Sequence, residues 1–370
     1  MNPLDLREET PGLQDVTYLN FGAHGPSPRR VVDAVGATVA DHEYGTATTD
    51  PYEFAFETYE AVRERIASFI GAPTDGVALT ESTTDGITRI ASAIDWSPGD
   101  VVVRTDLEHP AGILPWQLLE QSGVEVRVIE TDRGRVDRDA FTDAVADATL
   151  VCFSALTWTH GTMLPVADLV EIANDAGAFT LVDAVQVPGH RHCDVSAWGA
   201  DAVAAAGHKW TLGPWGSGFL FIDPAVASAL TPAAVGYRSV EDPTGTSITL
   251  KAGARRFEIG TTSPAPHVGL TTALDAIEEI GIGRIESRIE RLTDRLKAEI
   301  PDDQLLSPRS FHSGLVTIAV DDPDATVERL ADEGIIVRTL PYPNAIRVSV
   351  HAVSTESEID ALVTALNDTS

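Results

Sequence analysis

The sequence is poor in cysteine, in lysine and in positive charge as a whole. Its 370 residues include two cysteines and 26 lysines and arginines, against 56 aspartates and glutamates, so the formal net charge is −30. Cys152 and Cys193 do not make a disulfide framework, and their spacing fits no zinc site. Nucleic acid and anionic membranes are bound by basic surfaces, and a chain this acidic is repelled by both. We therefore expect neither kind of partner.

Long apolar runs are also missing. Although 43% of the residues are hydrophobic, no run approaches the roughly 20 residues that a membrane span needs. The first residues, "MNPLDLREETPG", are acidic and polar and show neither a secretory signal nor a transit peptide, so we expect a cytoplasmic protein. Acidic residues along the whole chain and the preference for arginine over lysine suggest a halophilic protein that stays soluble in a very salty cytoplasm.

Short β-branched segments alternate with helical patterns from about residue 77 to residue 222. This alternation predicts an α/β fold with a mostly parallel sheet covered by helices on both faces. The pattern changes near residue 265, where the amphipathic stretch "GIGRIESRIERLTDRLKAEI" precedes further short strands and a terminal helix. We predict a large domain at 15–265 and a smaller α+β domain at 266–370, to which residues 1–14 are added.

Polar residues follow the predicted strands where each of them ends. Thr83 and Thr84 follow the first strand of the alternating region, His109 follows the next one, Asp183 ends another, and Lys209 follows a later strand. Ligands of parallel sheets bind beyond the carboxyl ends of the strands. We therefore expect these side chains to meet at one edge of the sheet.

Lys209 stands in the segment "AAAGHKWTLGPWGSGFLF", and the chain has only two other lysines. A lysine amine becomes a nucleophile when burial and a nearby positive charge lower its pKa. The small residues around it would let a planar ligand approach, and His208 could donate a hydrogen bond to an anion. An ordinary solvated loop lysine is the alternative. The glycines do not form a dinucleotide-binding turn, because "FLFI" reads as a strand where that motif needs a helix.

These residues together match the needs of pyridoxal 5′-phosphate (PLP), which requires a lysine, an acid for its ring nitrogen, a partner for its phenolic oxygen, a stacking ring and a phosphate cradle. Asp183 could bind the ring nitrogen and Gln186 the phenolic oxygen, while His109 could stack on the ring. The helix that begins in "STTDG" suits a phosphate, because its free N–H groups and positive dipole end face an anion. Each residue also has an ordinary structural explanation, as a helix cap or a loop histidine; the complete set favours the cofactor.

The segments "YLNFGAHGPSP", "VDAVQ", "GHKW" and "RVSVHAVSTESEID" resemble class V of the PLP-dependent aminotransferase superfamily, of fold type I, over nearly the whole chain. The resemblance implies a mostly parallel sheet of the seven-stranded type, flanked by helices, and a smaller C-terminal α+β domain. It implies Lys209 as the Schiff-base lysine, with Asp183 and His109 completing the catalytic set. The cofactor-binding residues it implies are Thr83, Thr84, His109, Asp183, Gln186, His208, Lys209 and Thr261.

The resemblance also implies a small amino acid as substrate and a homodimer with shared active sites. Arg347 in "AIRVS" matches the arginine that binds the substrate carboxylate in bidentate geometry, and Arg338 is a second expected contact. Thr261 in "RRFEIGTTS" matches the threonine that reaches the phosphate in the partner subunit. His24 and Trp158 are further candidates for the substrate pocket.

Departures from the usual pattern favour one branch of the family. Cysteine desulfurases carry a nucleophilic cysteine in the loop that is "LPYPNA" here, and this loop has none. Trp158 replaces the usual asparagine, and Ala206 replaces a usual serine. The sequence most resembles the cysteine and cystine C–S lyases, which perform β-elimination to pyruvate, ammonia and sulfide or persulfide. A cysteine desulfurase or selenocysteine lyase-like enzyme, an isopenicillin epimerase-like enzyme, a transaminase and a PLP-fold protein without turnover remain alternatives.

Overall fold

The computed structural model describes residues 1–368. The strands are β1 (Thr17–Tyr18), β2 (Val77–Thr80), β3 (Val101–Thr105), β4 (Glu125–Ile129), β5 (Leu150–Ser154), β6 (Phe179–Asp183), β7 (Ala202–Ala206), β8 (Gly218–Ile222), β9 (Leu315–Ile318), β10 (Ile335–Ile336), β11 (Arg338–Leu340) and β12 (Ala345–Ser349). The helices are α1 (Pro3–Glu8), α2 (Arg29–Gly45), α3 (Pro51–Phe69), α4 (Thr83–Ala91), α5 (Leu114–Glu120), α6 (Arg138–Val145), α7 (Val166–Asp175), α8 (Val195–Trp198), α9 (Pro224–Ala227), α10 (Ala265–Ile280), α11 (Ile282–Ala298), α12 (Pro323–Asp332) and α13 (Glu356–Asn367). Within this described part of the chain, no helix is long and apolar enough to cross a membrane.

Many of the helices begin at a capping residue. The side chains of Ser82, Asp137, Asp322 and Thr355 each accept a hydrogen bond from a backbone N–H in the first turn of α4, α6, α12 and α13. These acceptors satisfy N–H groups that have no partner within the helix, and each such cap stabilises a helix by about 1 kcal/mol. Short polar residues therefore set the starting points of these helices.

The large sheet has seven strands in the order β2-β8-β7-β6-β5-β3-β4. The strands from β7 to β4 run parallel to their neighbours, and β8 is antiparallel to both β2 and β7. β5, β7 and β8 are buried along their whole length, as expected for strands covered on both faces. The prediction of a mostly parallel sheet of seven strands is confirmed, and β8 confirms the strand predicted after the glycine-rich turn.

The second sheet is small and antiparallel, with the order β11-β12-β9. It forms a core of its own with α11, α12 and α13, in which Leu292, Leu330, Val348 and Leu362 are fully buried. The amphipathic pattern predicted in this region is α11, whose apolar residues face that core and also the large one. This α+β unit carries β12 and its arginine to the end of the large sheet.

The packing of α10 bears on where the small domain begins. Leu270, Leu274 and Ile277 of this helix are buried in the core that covers the large sheet, and the helix packs against α2 and α3. The side chains of α10 therefore belong with the large sheet, although the boundary predicted at 265/266 assigns the helix to the small domain. The division at that residue remains a prediction.

Candidate active site

A cavity of about 210 Å³ lies at the carboxyl ends of the parallel strands, where β11 and β12 of the small sheet close it. Its wall contains both basic and acidic side chains in a chain that is strongly acidic overall. The sequence-predicted residues that line it are Thr83, Thr84, His109, Trp158, Asp183, Gln186, His208, Lys209, Arg338 and Arg347. The sheet therefore brings together side chains that come from segments more than 260 residues apart.

Lys209 lies in the loop that connects β7 and β8, residues 207–217. The backbone of Gly25 packs directly on this loop: a Cβ at that position would lie 2.1 Å from the carbonyl oxygen of Lys209. Burial, together with the charges of Arg347 and Arg338 and against the opposing charge of Asp183, lowers the pKa of the Lys209 amine to about 8. A substantial fraction of this amine is thus neutral and nucleophilic near pH 8.

Asp183 is the last residue of β6, and only 3% of it is exposed. Its Oδ1 accepts a hydrogen bond from the backbone N–H of Val185 at 2.9 Å. Burial raises the pKa of this carboxyl group, whereas the Val185 N–H and the charge of Lys209 lower it. A buried carboxylate at this place suits a cationic N–H donor of a ligand.

The first turn of α4 offers an anion site at one end of the cavity. Ser82 caps the helix through Asp85 N at 3.1 Å, and Thr83 and Thr84 follow it on the cavity wall. The hydroxyl of Thr83 is buried and has no partner within residues 1–368. Because a buried unpaired hydroxyl costs about 1–3 kcal/mol, this orphan group and the free N–H groups of the helix fit a phosphate.

Arg347 and Arg338 face each other across β11 and β12, where they are directly paired in register. Arg347 is 1% exposed, and only its Nη1 has a partner, the carbonyl oxygen of Trp158 at 2.9 Å. Its Nε and Nη2 are buried without partners among the described residues. Burial, with the charge of Arg338, lowers the pKa of Arg347 to about 9. Two opposed positive charges are unfavourable, so the pair fits an anionic group of a ligand.

His109 and Trp158 form an aromatic side of the cavity. Their rings meet edge to face, with centroids 5.5 Å apart. His109 Nδ1 accepts a hydrogen bond from Ala111 N at 3.3 Å. Although the residue is exposed at the cavity, partial desolvation and the charge of Lys209 lower the pKa of His109 to about 4. Its imidazole is therefore neutral, which suits stacking on a planar ligand.

Two predicted site residues lie outside the cavity wall. The half-buried ring of His24 lies 6.2 Å from the ring of His208, centroid to centroid. Thr261 is exposed in the segment that precedes α10, away from the cavity of its own chain. The predicted contact of His24 with substrate and the predicted contact of Thr261 with a partner subunit's cofactor remain predictions.

Sequence reasoning missed Glu108, a buried carboxyl group behind the cavity. It accepts hydrogen bonds from the hydroxyls of Thr105 and Ser154, at 2.6 and 2.7 Å, and from Ser154 N at 3.2 Å. Burial raises the pKa of Glu108 to about 7. Since these contacts join the ends of β3 and β5, Glu108 anchors the loop that carries His109. The sequence signal that could have identified Glu108 is its position directly before His109.

Both cysteines are buried in the core, and neither lines the cavity. Burial raises the pKa of the Cys193 thiol to about 12, and it raises the pKa of Cys152 well above the ordinary value. The thiolate is the nucleophilic form of cysteine. Neither residue therefore supplies a reactive thiolate to the cavity.

Comparison with known proteins agrees with this site. The family model described as aminotransferase class-V matches residues 17–362. A probable cysteine desulfurase of Methanothermobacter thermautotrophicus is 32% identical over 388 residues, which cover 98% of this chain and 96% of that protein. The family match thus includes the strands and loops that form the cavity.

Solved structures of the same fold extend the comparison. A cysteine desulfurase of Thermococcus onnurineus NA1, in its apo form, superposes with a TM-score of 0.91 and 28% identity over 100% of this chain and 98% of its own. The cystine C–S lyase C-DES, in complex with its reaction product cysteine persulfide, gives a TM-score of 0.89 and 27% identity over 97% and 99%. A lysine-to-alanine variant of C-DES, with glycine covalently linked to the PLP cofactor, gives 0.92 and 26% over 98% and 99%.

Proposed function

Because the chain belongs to the class-V aminotransferase family, and is a PLP-dependent enzyme related to cysteine desulfurases and C–S lyases, we propose that it is a C–S lyase. Its substrate is cysteine or cystine, from which it eliminates sulfide or persulfide. The aminoacrylate that leaves the enzyme decays to pyruvate and ammonia. The observation that carries this proposal is a cavity that contains a lysine of lowered pKa and two arginines without a carboxylate partner among residues 1–368, but no thiol.

The cavity residues fit PLP. Lys209 would bind its aldehyde carbon, Asp183 its ring nitrogen and Gln186 its phenolic oxygen, while His109 would stack on the ring. The hydroxyls of Thr83 and Thr84, the first turn of α4 and His208 would hold its phosphate. PLP, when bound, withdraws electrons from the α-carbon of an attached amino acid and so makes its proton easier to remove.

The remaining steps belong to the chain's own side chains. Arg347 binds the substrate carboxylate through Nε and Nη2, the two nitrogens that have no protein partner. Lys209, once freed, accepts the α-proton at Nζ, because its lowered pKa of about 8 leaves it largely neutral at mildly alkaline pH. The burial of Arg347 excludes water from the ion pair, which strengthens it.

Elimination needs a base and a leaving group, whereas desulfuration also needs a thiol that attacks the sulfur of the substrate. The turn between β11 and β12 carries Tyr342 and Pro343 and no cysteine. Cys152 and Cys193 are buried, with pKa values raised above the ordinary range. The chemistry available at this cavity therefore favours elimination.

A cysteine desulfurase is the second candidate, since relatives that are 30–32% identical to this chain carry that name. That reaction would leave alanine and would transfer sulfur to a thiol. In this chain the thiol would have to be Cys193 or Cys152, after a rearrangement that exposes it. The two candidates thus differ in their product and in their dependence on cysteine.

The test uses the purified protein with PLP and either cystine or cysteine. We expect pyruvate and sulfide or persulfide, unchanged turnover in the Cys152→Ser/Cys193→Ser double variant, and no turnover in Lys209→Ala. Lys251→Ala is the matched control, because Lys251 lies outside the cavity and should keep full activity. Alanine as the product, or activity that disappears with the two cysteines, would replace the lyase with a desulfurase.

We also propose a homodimer whose subunits share their active sites. An apolar groove of about 590 Å³ adjoins the cavity, and Thr84 and His109 line both. Leu114 and Leu118 of this groove are 59% and 65% exposed, and they belong to one apolar patch, a feature that marks interaction surfaces. A second copy seated there would cover them next to the phosphate site, where Thr261 of the partner subunit is expected.

Light scattering should give a mass twice the 39.4 kDa of one chain. Mixing Lys209→Ala with Thr261→Ala subunits gives a sharper test. If Thr261 serves the neighbouring site, each mixed dimer regains one intact site, and statistical mixing restores about a quarter of native activity. No gain on mixing would mean that Thr261 acts within its own subunit or not at all.

A further inference from the structure

Trp210, directly after Lys209, is the centre of a buried aromatic stack. Its indole lies parallel to the imidazole of His190, with centroids 3.8 Å apart and planes at 16°. The imidazole of His351 is also nearly parallel to the indole, with a centroid distance of 6.0 Å and an angle of 20°. All three residues are at most 1% exposed. His351 follows β12, so the stack joins the small sheet to the loop that holds Lys209.

Hydrogen bonds fix the protonation of both imidazoles. Gly314 N donates to His190 Nε2 at 2.7 Å, so His190 carries its proton on Nδ1, which faces the carbonyl oxygen of Gln186 at 3.0 Å. Val353 N donates to His351 Nδ1 at 3.2 Å, so Nε2 of that ring donates to the carbonyl oxygen of Trp210 at 3.0 Å. All four ring nitrogens have partners, and both rings are neutral. The indole is therefore packed against two imidazoles that are themselves fixed by hydrogen bonds.

The held indole contacts Gln186 on the cavity wall. Trp210 Nε1 donates to Gln186 Oε1 at 2.6 Å, and Gln186 Nε2 donates to the carbonyl oxygen of Gly22 at 2.9 Å. An indole N–H only donates and a carbonyl oxygen only accepts. The two neighbours therefore require the same orientation of the amide. One N–H of Nε2 remains for the cavity that Gln186 lines.

We propose that Trp210 is a positioning residue, which holds the Gln186 amide so that its free N–H, and not its carbonyl oxygen, faces the phenolic oxygen of PLP. This inference rests on the proposed cofactor site. A flipped amide would place its carbonyl oxygen against an oxygen that carries negative charge. In the native orientation the N–H competes for the phenolic oxygen with the proton that this oxygen shares with the nitrogen joining Lys209 to the cofactor.

The prediction concerns a titration rather than a rate. Trp210→Phe keeps an aromatic ring in the stack but removes the indole N–H, so the Gly22 carbonyl is the one remaining contact that favours the native orientation, and the flipped amide becomes more populated. The phenolic oxygen then holds the shared proton more tightly. We expect the midpoint of the pH titration of the cofactor's visible absorbance to rise by about one pH unit. In a Gln186→Ala background the same substitution should leave the midpoint unchanged, because the residue through which Trp210 acts is missing.

Trp116→Phe is the matched control. Trp116 is also fully buried, its indole N–H has no partner among the described residues, and it lies in the core away from the cavity. We expect it to leave the midpoint unchanged while it lowers stability as any truncated core tryptophan does. If Trp210→Phe does not fold, Gln186→Glu tests the N–H donor through which Trp210 acts. An ionised carboxylate at this position cannot donate to the phenolic oxygen, so this variant should also raise the midpoint.

Two failures can be told apart. A native protein that binds PLP, with a midpoint that stays the same in Trp210→Phe or in Gln186→Glu, overturns the positioning role and leaves the proposed function standing. A shift of equal size in Trp116→Phe also overturns the positioning role, since the loss of volume from any buried tryptophan would then be enough to shift the midpoint. A native protein that develops no visible absorbance with PLP overturns the proposed function and this inference together.

Discussion

Two clusters of buried arginine occur in this molecule, and they differ in what neutralises them. Arg63 and Arg238 converge on Glu258, which also accepts a hydrogen bond from Leu79 N at 2.9 Å. Arg347 and Arg338 face each other at the cavity with no carboxylate partner within residues 1–368. Both clusters lie at an end of a sheet, and both contain an arginine that is 1% exposed.

The difference separates a structural cluster from a binding cluster. A buried charge is tolerated when it is paired and hydrogen-bonded, and the first cluster meets that condition with groups of the chain itself. The second cluster leaves Nε and Nη2 of Arg347 without partners. Its unfavourable charge is relieved when an anion binds, so part of the affinity for a carboxylate arises from this arrangement.

The largest effect is expected for Arg347→Met. Loss of the charge that binds the substrate carboxylate should lower kcat/KM about a thousandfold. Because the buried arginine has no carboxylate partner among the described residues, the free energy of unfolding should stay the same or rise by about 1–3 kcal/mol. Steady-state pyruvate formation and urea unfolding measure the two quantities. A loss of stability as large as the loss of activity would show that Arg347 is a structural residue.

Glu258→Gln should have the opposite profile. It leaves Arg238 buried without a counter-charge and Arg63 with only the partly exposed Glu60 at 2.8 Å, so we expect the free energy of unfolding to fall by about 3–5 kcal/mol. Glu279→Gln, at the exposed partner of Arg30, is the control and should change it by less than about 0.5 kcal/mol. Urea unfolding monitored by circular dichroism measures both. Equal losses of stability in the two variants would show that Glu258 stabilises the fold no more than an exposed carboxylate does, and the first cluster would then not be a structural one.

Arg338→Met tests the outer member of the binding cluster. Arg338 is only half-buried, so we expect a smaller effect, a rise of about tenfold in KM. The rise should be larger for cystine than for cysteine, because cystine carries a second carboxylate. Steady-state kinetics with both substrates measure the two changes. An equal rise in KM for cystine and cysteine would show that Arg338 binds the same carboxylate as Arg347.

The smallest effect is a shift in pH dependence. Lys209 is active as a base when neutral, so kcat should increase with pH and level off above its pKa of about 8, by about fourfold between pH 7.5 and 9. The charge of Arg338 lowers the pKa of Lys209; its removal in Arg338→Met should move the midpoint of the profile to higher pH. If the midpoint does not move in that variant, the charge of Arg338 does not affect the pKa of Lys209.

Much of the site could be predicted from local patterns. β-branched segments alternating with helical ones predicted a mostly parallel sheet covered by helices, for which the family resemblance implied seven strands. The polar residues after each strand predicted where ligands bind. Lys209 was conspicuous because lysine is rare in this chain. The opposed pair of Arg338 and Arg347 was also within reach, since a short turn between two strands pairs residues that lie nine positions apart.

The remainder depended on contacts between distant segments. The orientation of the Gln186 amide is set by Trp210 and by Gly22, which lies 164 residues away. The side chain of Glu258 reaches Arg63 from a separation of 195 residues. No local pattern distinguishes that buried pair from the many exposed ones in so charged a chain.

Residue types and their spacing were thus enough to specify the strands, the helices and the kinds of reactive group, because periodic burial and capping act over a few neighbouring residues. Folding in three dimensions decided which of these groups are paired and which stay open. It neutralised Arg63 with Glu258 and left Arg347 without a carboxylate partner within residues 1–368, because whether a buried charge meets a counter-charge depends on which segments of the chain pack together.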